Sequence, residues 1–531
     1  MTTATTLRRT TVAGIPALWT DLPGDYTATL VVGVGARDLT PTTAGLHHLV
    51  EHVVMSRVGH VTVDHNAASS PDSIMFWATG APARVHDFLH RVAAAATSLQ
   101  DLTDEELRVD LSTVVAEIGV GGLYAGMGPL AARWGAAGLG LADLGHAALL
   151  SLDASDVRAF VDRWFVTGAA RLALTREPAP DLAPRLPERT APVRAPHPPP
   201  LDLPTPAVVY GDVVHLTLSF LVDLDRTHRA LVGEVVHETL VRRLRRAAGH
   251  VYSVDASAAP VAGTTSSWTF ALDPPSPTLA REVLREAVTT LRTVATHGPD
   301  PEVLAHARET LDAERSLHDA RRARLVVAAE ADARGDVALP LDDDDDLELD
   351  GDAVRDDVAA LLASLLVVFP AGLVDDPDAA DRLEHELGLT LRTPLRSYAG
   401  MSRTQIMTDL LGGGTRTGLT SALVTSGGTF HKGRFFGAAR GAEICLGPRQ
   451  VVLLPGGLKV CTEDVVLCSE DDDGDVELVT RTGASVVVNP RYFRRAARPW
   501  ARFMSSLPRD VVRSKRGVTA LLAGTGTDTA P

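Results

Sequence analysis

His48 and His52 stand one helical turn apart in the run His48-Leu-Val-Glu51-His52. On a helix that spacing turns both imidazoles to one side, as two nitrogen ligands of a single zinc ion require. Glu51 lies close to the same face, where its carboxylate can take a proton from a water held by the metal. The three residues form a hydrolytic unit short of one protein ligand, because a catalytic zinc keeps three such ligands and one open position.

The missing ligand has to come from a neighbouring element. Residues 103–118 read as a helix opened by the capping box Thr103-Asp-Glu-Glu106, with Leu107, Leu111, Val114, Val115 and Ile118 as its buried stripe. Glu106, Asp110 and Glu117 fall on its other face. Glu106 serves the cap and Glu105 points elsewhere. Glu117 is the best third ligand, because it sits at the margin of the apolar stripe, where an unpaired carboxylate is costly and a metal compensates it. Asp110, two turns earlier, is placed to orient a ligand from behind. His47 is out of register with the proposed ligands. His86 and His90 share a helix face without a flanking acid suited to catalysis, and His237-Glu238 lacks a second histidine; these are read as core or solvent-facing residues.

The elements that must position these groups follow from hydrophobic period and turn chemistry. Two Thr- and Val-rich runs, Thr10–Thr20 and Thr27–Val34, flank Pro23-Gly24-Asp25 and predict a strand pair. Thr42 and Thr43 offer an N-cap for a helix buried along Leu46, Leu49, Val50, Val53 and Val54, which carries His48 to His52. A strand at 73–79, helices at 81–100 and 152–165 and a strand at 170–175 complete an α+β unit over residues 1–177. Proline recurs throughout 178–206, the composition of a stiff extended linker.

The order of elements then repeats over 207–375. A strand at 215–221 leads to a helix at 229–247, strands at 252–258 and 266–272, helices at 276–296, 301–334 and 352–365, and a strand from Leu366. The acidic run Asp342–Asp346 reads as a solvated loop. A connecting segment, 376–427, precedes closely spaced short strands over 428–515, closed by a helix at 491–506 and followed by a flexible tail, 516–531. The expected class is α+β, with two similar units of antiparallel sheet and helices plus a small C-terminal β-barrel or sandwich.

With 51 Lys+Arg against 67 Asp+Glu, the net charge of -16 repels phosphate backbones and anionic lipid, which argues against nucleic acid and membrane partners. No stretch approaches the roughly 18 uninterrupted apolar residues of a membrane span. Met1–Arg9 is not followed by a long apolar core, so a cytoplasmic location is expected. Cys445, Cys461 and Cys468 have neither the number nor the spacing of a disulfide framework or a cysteine zinc site.

Four stretches in order carry a resemblance: Val32-Gly-Val-Gly-Ala-Arg-Asp, then Gly45-Leu-His-His48-Leu-Val-Glu51-His52, Asn66-Ala67, and Val114-Val-Ala-Glu117-Ile. In this order they resemble the insulinase, pitrilysin and mitochondrial-processing-peptidase family of inverzincin metallopeptidases, over residues 8 to 375. Leu244-Arg245-Arg-Ala-Ala-Gly249-His-Val-Tyr252-Ser253 looks like the family's second signature. The resemblance implies one zinc ion on His48, His52 and Glu117, Glu51 as general base, and Asp110 in place of a supporting glutamate. It further implies a substrate-receiving edge at Asn66 and Ala67 and substrate-binding roles for Arg245 and Tyr252. Departures are a short interval from His52 to Glu117, His47 in place of a small residue, and Arg246 in place of an acid.

Family members enclose peptides in a chamber of four such α+β units, and this chain has two. The expectation is therefore a zinc endopeptidase acting on peptides or short unfolded polypeptides as a homodimer or with a related chain, Arg245 and Tyr252 of one subunit completing the other's site. The alternative is a non-catalytic subunit or adaptor that works through the C-terminal domain. That domain resembles a pleckstrin-homology-type or related lipid-regulated module in strand count and closing helix, and exposure of Arg491, Arg494, Arg495 and Arg498 would favour the adaptor.

Overall fold

The computed structural model describes residues 7–211, 213–336, 350–370, 386–391, 428–434, 442–454 and 458–515. The acidic run Asp342–Asp346, nearly all of the segment 376–427 and the tail 516–531 lie outside the described residues.

The first sheet is built from β1 (Arg8–Val12), β2 (Ile15–Trp19), β3 (Tyr26–Val32), β4 (Asp64–Ser69), β5 (Ile74–Gly80) and β6 (Ala170–Leu174), in the order β1-β2-β6-β3-β5-β4. Its helices are α1 (Leu46–Val58), α2 (Pro82–Thr97), α3 (Asp104–Ile118), α4 (Pro129–Trp134), α5 (Gly140–Asp143) and α6 (Ala154–Trp164). The two N-terminal runs share this sheet but do not pair with each other. The first is itself a hairpin, because Ala13 and Gly14 both take positive φ (47° and 82°), the geometry of a tight two-residue turn. The longer connection through Pro23-Gly24-Asp25 leaves room for β6, which pairs with both β2 and β3.

The second sheet comprises β7 (Ala207–Gly211), β8 (Leu216–Asp223), β9 (Val254–Ala262), β10 (Thr265–Leu272), β11 (Leu366–Pro370) and β12 (Thr390–Leu391), in the order β12-β7-β11-β8-β10-β9. The run β7-β11-β8-β10-β9 repeats β2-β6-β3-β5-β4 strand for strand, so the recurrence seen in the sequence is a duplicated topology. The helices here are α7 (Arg226–Leu240), α8 (Pro277–His297), α9 (Pro301–Ser316), α10 (His318–Arg334) and α11 (Gly351–Ala363). A π-helical turn, Val241–Ala247, extends α7 and carries Arg245.

The helix expected over 301–334 is two helices, broken at Leu317, whose ψ of 135° is extended. The break has a packing cause. α9 stays with α7 in the second half, whereas α10 crosses to the first sheet, where Leu325, Ala328 and Ala329 meet Leu18, Val31 and Ala173. Along β3 the side chains alternate, Leu30 and Val32 entering the core with α1 and α2 while Val31 faces α10. The exchange is reciprocal, since Met127, Ala131 and Ala132 cover the far face of the second sheet at Val209, Leu366 and Val368.

Polar ties follow the same exchange. Buried Arg133 on α4 donates to Ser219 Oγ at 3.1 Å and to the carbonyls of Ser219 and Ser364 at 2.8 Å. Asp332 on α10 pairs with Arg171 and Arg9. Each half thus supplies the outer cover of the other's sheet. The Pro-rich stretch 178–206 is extended, and it also packs: Leu182 and Leu186 are buried in the first core, and Ala183 N–H donates to His90 Nε2.

The C-terminal strands form two four-stranded sheets. One is β13 (Thr429–Lys432), β14 (Glu443–Leu446), β15 (Gln450–Leu454) and β16 (Leu458–Cys461) in sequence order; the other is β19-β18-β17-β20, from β17 (Val465–Glu470), β18 (Val476–Thr480), β19 (Ser485–Val488) and β20 (Val512–Ser514). Ile444, Val451 and Val460 of one sheet and Val476, Leu478 and Val486 of the other share one core with Phe493, Trp500 and Phe503. The closing helix α12 covers only Ala497–Ser505, because Pro490–Tyr492 forms a separate short turn and Arg495 takes a φ of 56°.

Candidate metal centre

α1 begins at Gly45, whose φ of +94° suits glycine, and it buries Leu49, Val50, Val53 and Val54 against the first sheet. That anchoring turns His48 and His52 toward α3, with which α1 packs. α3 is fixed at its start by the expected capping box, Thr103 Oγ accepting from Glu106 N–H while Glu106 accepts from Thr103 N–H. Its buried residues include Leu107, Val114 and Val115. Glu117 lies in the last turn.

The three donors converge. His48 Nε2 and His52 Nε2 are 3.1 Å apart, and Glu117 Oε2 lies 3.6 Å from the first and 3.0 Å from the second. Ligands about 2.0–2.1 Å from a tetrahedral zinc are separated by about 3.3 Å, so these three atoms outline one face of such a site. They are the one group of three or more potential ligands so clustered among the described residues.

The electrostatics fit a cation. Glu117 places its charge at the C-terminal end of α3, where the helix dipole disfavours an anion, and no basic residue occupies that turn. Burial pushes the His48 imidazole below its ordinary pKa, which favours the neutral form that binds metal. Glu51 is half-buried beside the cluster, and burial raises its carboxyl pKa against the opposing pull of His52 and of the nearby Ser69. Ser69 closes β4, which places the edge strand of the first sheet next to Glu51.

Comparison with solved structures places this architecture. No family model matches the sequence, and no curated protein matches it. A chain of complex III2 from Candida albicans, Inz-5 bound, superposes with a TM-score of 0.52 at 12% identity, covering 72% of this chain and 100% of that one. A protease from Helicobacter pylori gives 0.52 at 14% identity, with 69% and 99% covered. A putative M16-like peptidase from Alicyclobacillus acidocaldarius gives 0.51 at 13%, with 70% and 100% covered. The chain has an M16-peptidase-like fold. At these identities the likeness concerns the fold, so the chemistry has to be argued from the residues.

The other predicted site residues are distributed as follows. Asn66 is exposed and Ala67 buried at the middle of β4. Arg245 sits 5.7 Å over the ring of Tyr252, which is 80% exposed, and neither forms a hydrogen bond or ion pair with His48, His52 or Glu117. Asp110 is buried, where the sequence put it on the exposed face, and its carboxylate accepts from Ser56 Oγ at 3.3 Å. It thus ties α3 to α1 and bonds to neither imidazole. His86 pairs with Asp181 and helps to hold the Pro-rich stretch. Arg491, Arg494, Arg495 and Arg498 are exposed on the C-terminal module.

One neighbour of the site had no signal in the sequence. His146 Nε2 lies 2.9 Å from His48 Nδ1, the ring nitrogen directed away from the ligand cluster. Burial and the neighbouring His48 and His52 push the pKa of His146 down to about 4. His47 is also buried, which pushes its pKa down to about 3.

Proposed function

We propose that the chain is a zinc-dependent endopeptidase acting on peptides or short unfolded polypeptides, with one zinc ion per chain on His48, His52 and Glu117. The observation that carries this is the convergence of those three donors at tetrahedral spacing with Glu51 alongside. Bound zinc would supply Lewis acidity toward a peptide carbonyl and lower the pKa of water at its open position. Glu51 takes a proton from the attacking water and passes it to the leaving amine. The free side of β4 accepts an extended peptide as an added strand, and the closeness of Ser69 at the end of β4 to Glu51 brings that peptide alongside the base. Asn66 and Ala67 lie on this receiving strand.

Incubation of the full chain with a mixed peptide pool is expected to give cleavage that a zinc chelator abolishes and added zinc restores. Peptides left intact by a zinc-loaded chain would sink the assignment.

The working unit is a homodimer, or a pair with a related chain, in which Arg245 and Tyr252 of one subunit bind peptide at the other's metal. The exposure of Tyr252, with a cation over its face, supports that role. For the homodimer, Glu51→Gln chains mixed with Tyr252→Ala chains should cleave faster than the sum of the two alone, since one hybrid site is intact. Activity equal to that sum would remove the shared site.

A second reading rests on the exposed Arg491, Arg494, Arg495 and Arg498. It keeps the fold as a non-catalytic adaptor whose C-terminal module binds an anionic ligand, and a purified chain with neither zinc nor cleavage would favour it.

A further inference from the structure

We propose that His146 is a positioning residue for the metal ligand His48, and that the C-terminal β-module holds His146 in place. This rests on the zinc assignment above and adds a function for the C-terminal β-module.

His48 directs Nε2 into the ligand cluster and Nδ1 to within 2.9 Å of His146 Nε2, so with zinc on Nε2 its proton would sit on Nδ1 and be donated to His146. Metal-bound imidazoles commonly donate this second nitrogen to an acceptor that fixes the ring. The two rings are 5.0 Å apart and tilted by 58°. His146 also rests on the start of α1: a Cβ at Gly45 would come within 2.9 Å of its Cδ2, so a glycine there lets the imidazole approach the helix N-terminus.

His146 belongs to a closed loop that leaves the metal centre at Glu117 and returns to it. The loop starts at the end of α3, and His146 N–H donates to Gly122 O at 3.1 Å, so one turn spaces the third ligand from His146. The C-terminal module grips this turn from outside. Ala125 N–H donates to Glu477 Oε1 at 2.8 Å, Ser485 Oγ donates to Ala125 O at 3.3 Å, and Lys515 Nζ donates to Leu123 O at 3.3 Å. Lys515 and Glu477 are themselves a buried pair at 2.8 Å. Residues on both sides of His146 complete the grip: Leu144, Ala147 and Ala148 pack with Leu467 and Val479 of β17 and β18. A buried ion pair that also binds main-chain groups is costly to rearrange, so it fixes the turn rather than merely touching it.

The test uses the full chain with His146→Ala, His146→Gln and the double substitution Glu477→Gln, Lys515→Met. Zinc affinity is read by chelator competition, the ligand field by the visible spectrum of the cobalt-substituted protein, and folding by thermal unfolding of the metal-free form. His146→Ala is expected to weaken zinc binding by about 10- to 100-fold and to alter the cobalt spectrum. His146→Gln, whose side-chain oxygen can accept the same proton, should recover most of both. The double substitution should weaken zinc in the same direction, about tenfold. If it unfolds the module, Ser485→Ala replaces it as the milder cut. A wild-type chain that binds zinc, together with a His146→Ala chain of equal affinity and unchanged spectrum, overturns the positioning role. Affinity unchanged in a folded Glu477/Lys515 variant, or in Ser485→Ala, overturns the brace. A wild-type chain that takes up neither zinc nor cobalt instead overturns the zinc assignment itself.

Discussion

Glu51→Gln is expected to leave zinc content at the wild-type level and to lower kcat/KM by about 10³-fold. Glutamine keeps the size of the side chain, but it cannot take a proton. Glu51 is outside the ligand trio, so the metal should stay. A loss of that size is about 4 kcal/mol of transition-state stabilisation, within the range of a single general base. Metal analysis and steady-state kinetics on the same preparation separate the outcomes. A variant that keeps activity within a few-fold of wild type would remove Glu51 from the chemistry, and one that loses zinc would make it a ligand.

Glu117→Ala should show the opposite pattern, with the fold kept and the metal lost. Four-ligand structural zinc sites are worth about 10–16 kcal/mol, or roughly 3 kcal/mol per ligand, so deletion of one of three protein ligands weakens binding by about 10²-fold or more. The side chain of Glu117 is 57% exposed and ends a helix, so its removal leaves no cavity. The metal-free variant should even gain slightly in stability, because a carboxylate at the C-terminal end of α3 opposes the helix dipole. Chelator competition and thermal unfolding of the metal-free protein read both effects. Wild-type zinc affinity in Glu117→Ala would move the third ligand elsewhere.

The candidate site was legible where its logic is local. The spacing of His48 and His52, the capping box at Thr103 and most of the apolar stripe of α3 lie within single helices and appear where the period placed them, with Leu111 and Ile118 only partly buried. The duplicated topology was legible for the same reason, because the order of strands and helices repeats along the chain. What was hidden depends on contacts between distant segments. The insertion of β6 between β2 and β3 joins residues far apart in sequence, and no property of the two N-terminal runs signals the gap. The break at Leu317 exists because α10 covers the other half's sheet, and nothing in the local helix propensity requires it. Asp110 followed the polar face by its charge, yet it is buried by its partner Ser56 on another helix. His146 lies in an irregular stretch with no periodic pattern, so its bond to His48 could be seen only in three dimensions.

The central claim is that His48, His52 and Glu117 bind one zinc ion. Anomalous scattering at the zinc edge from crystals of the purified chain tests it most directly. One peak is predicted, equidistant to within a few tenths of an ångström from His48 Nε2, His52 Nε2 and a Glu117 carboxylate oxygen, at about 2.0–2.2 Å from each. A zinc-supplemented crystal with no peak there, or with its peak on other side chains, would contradict the account.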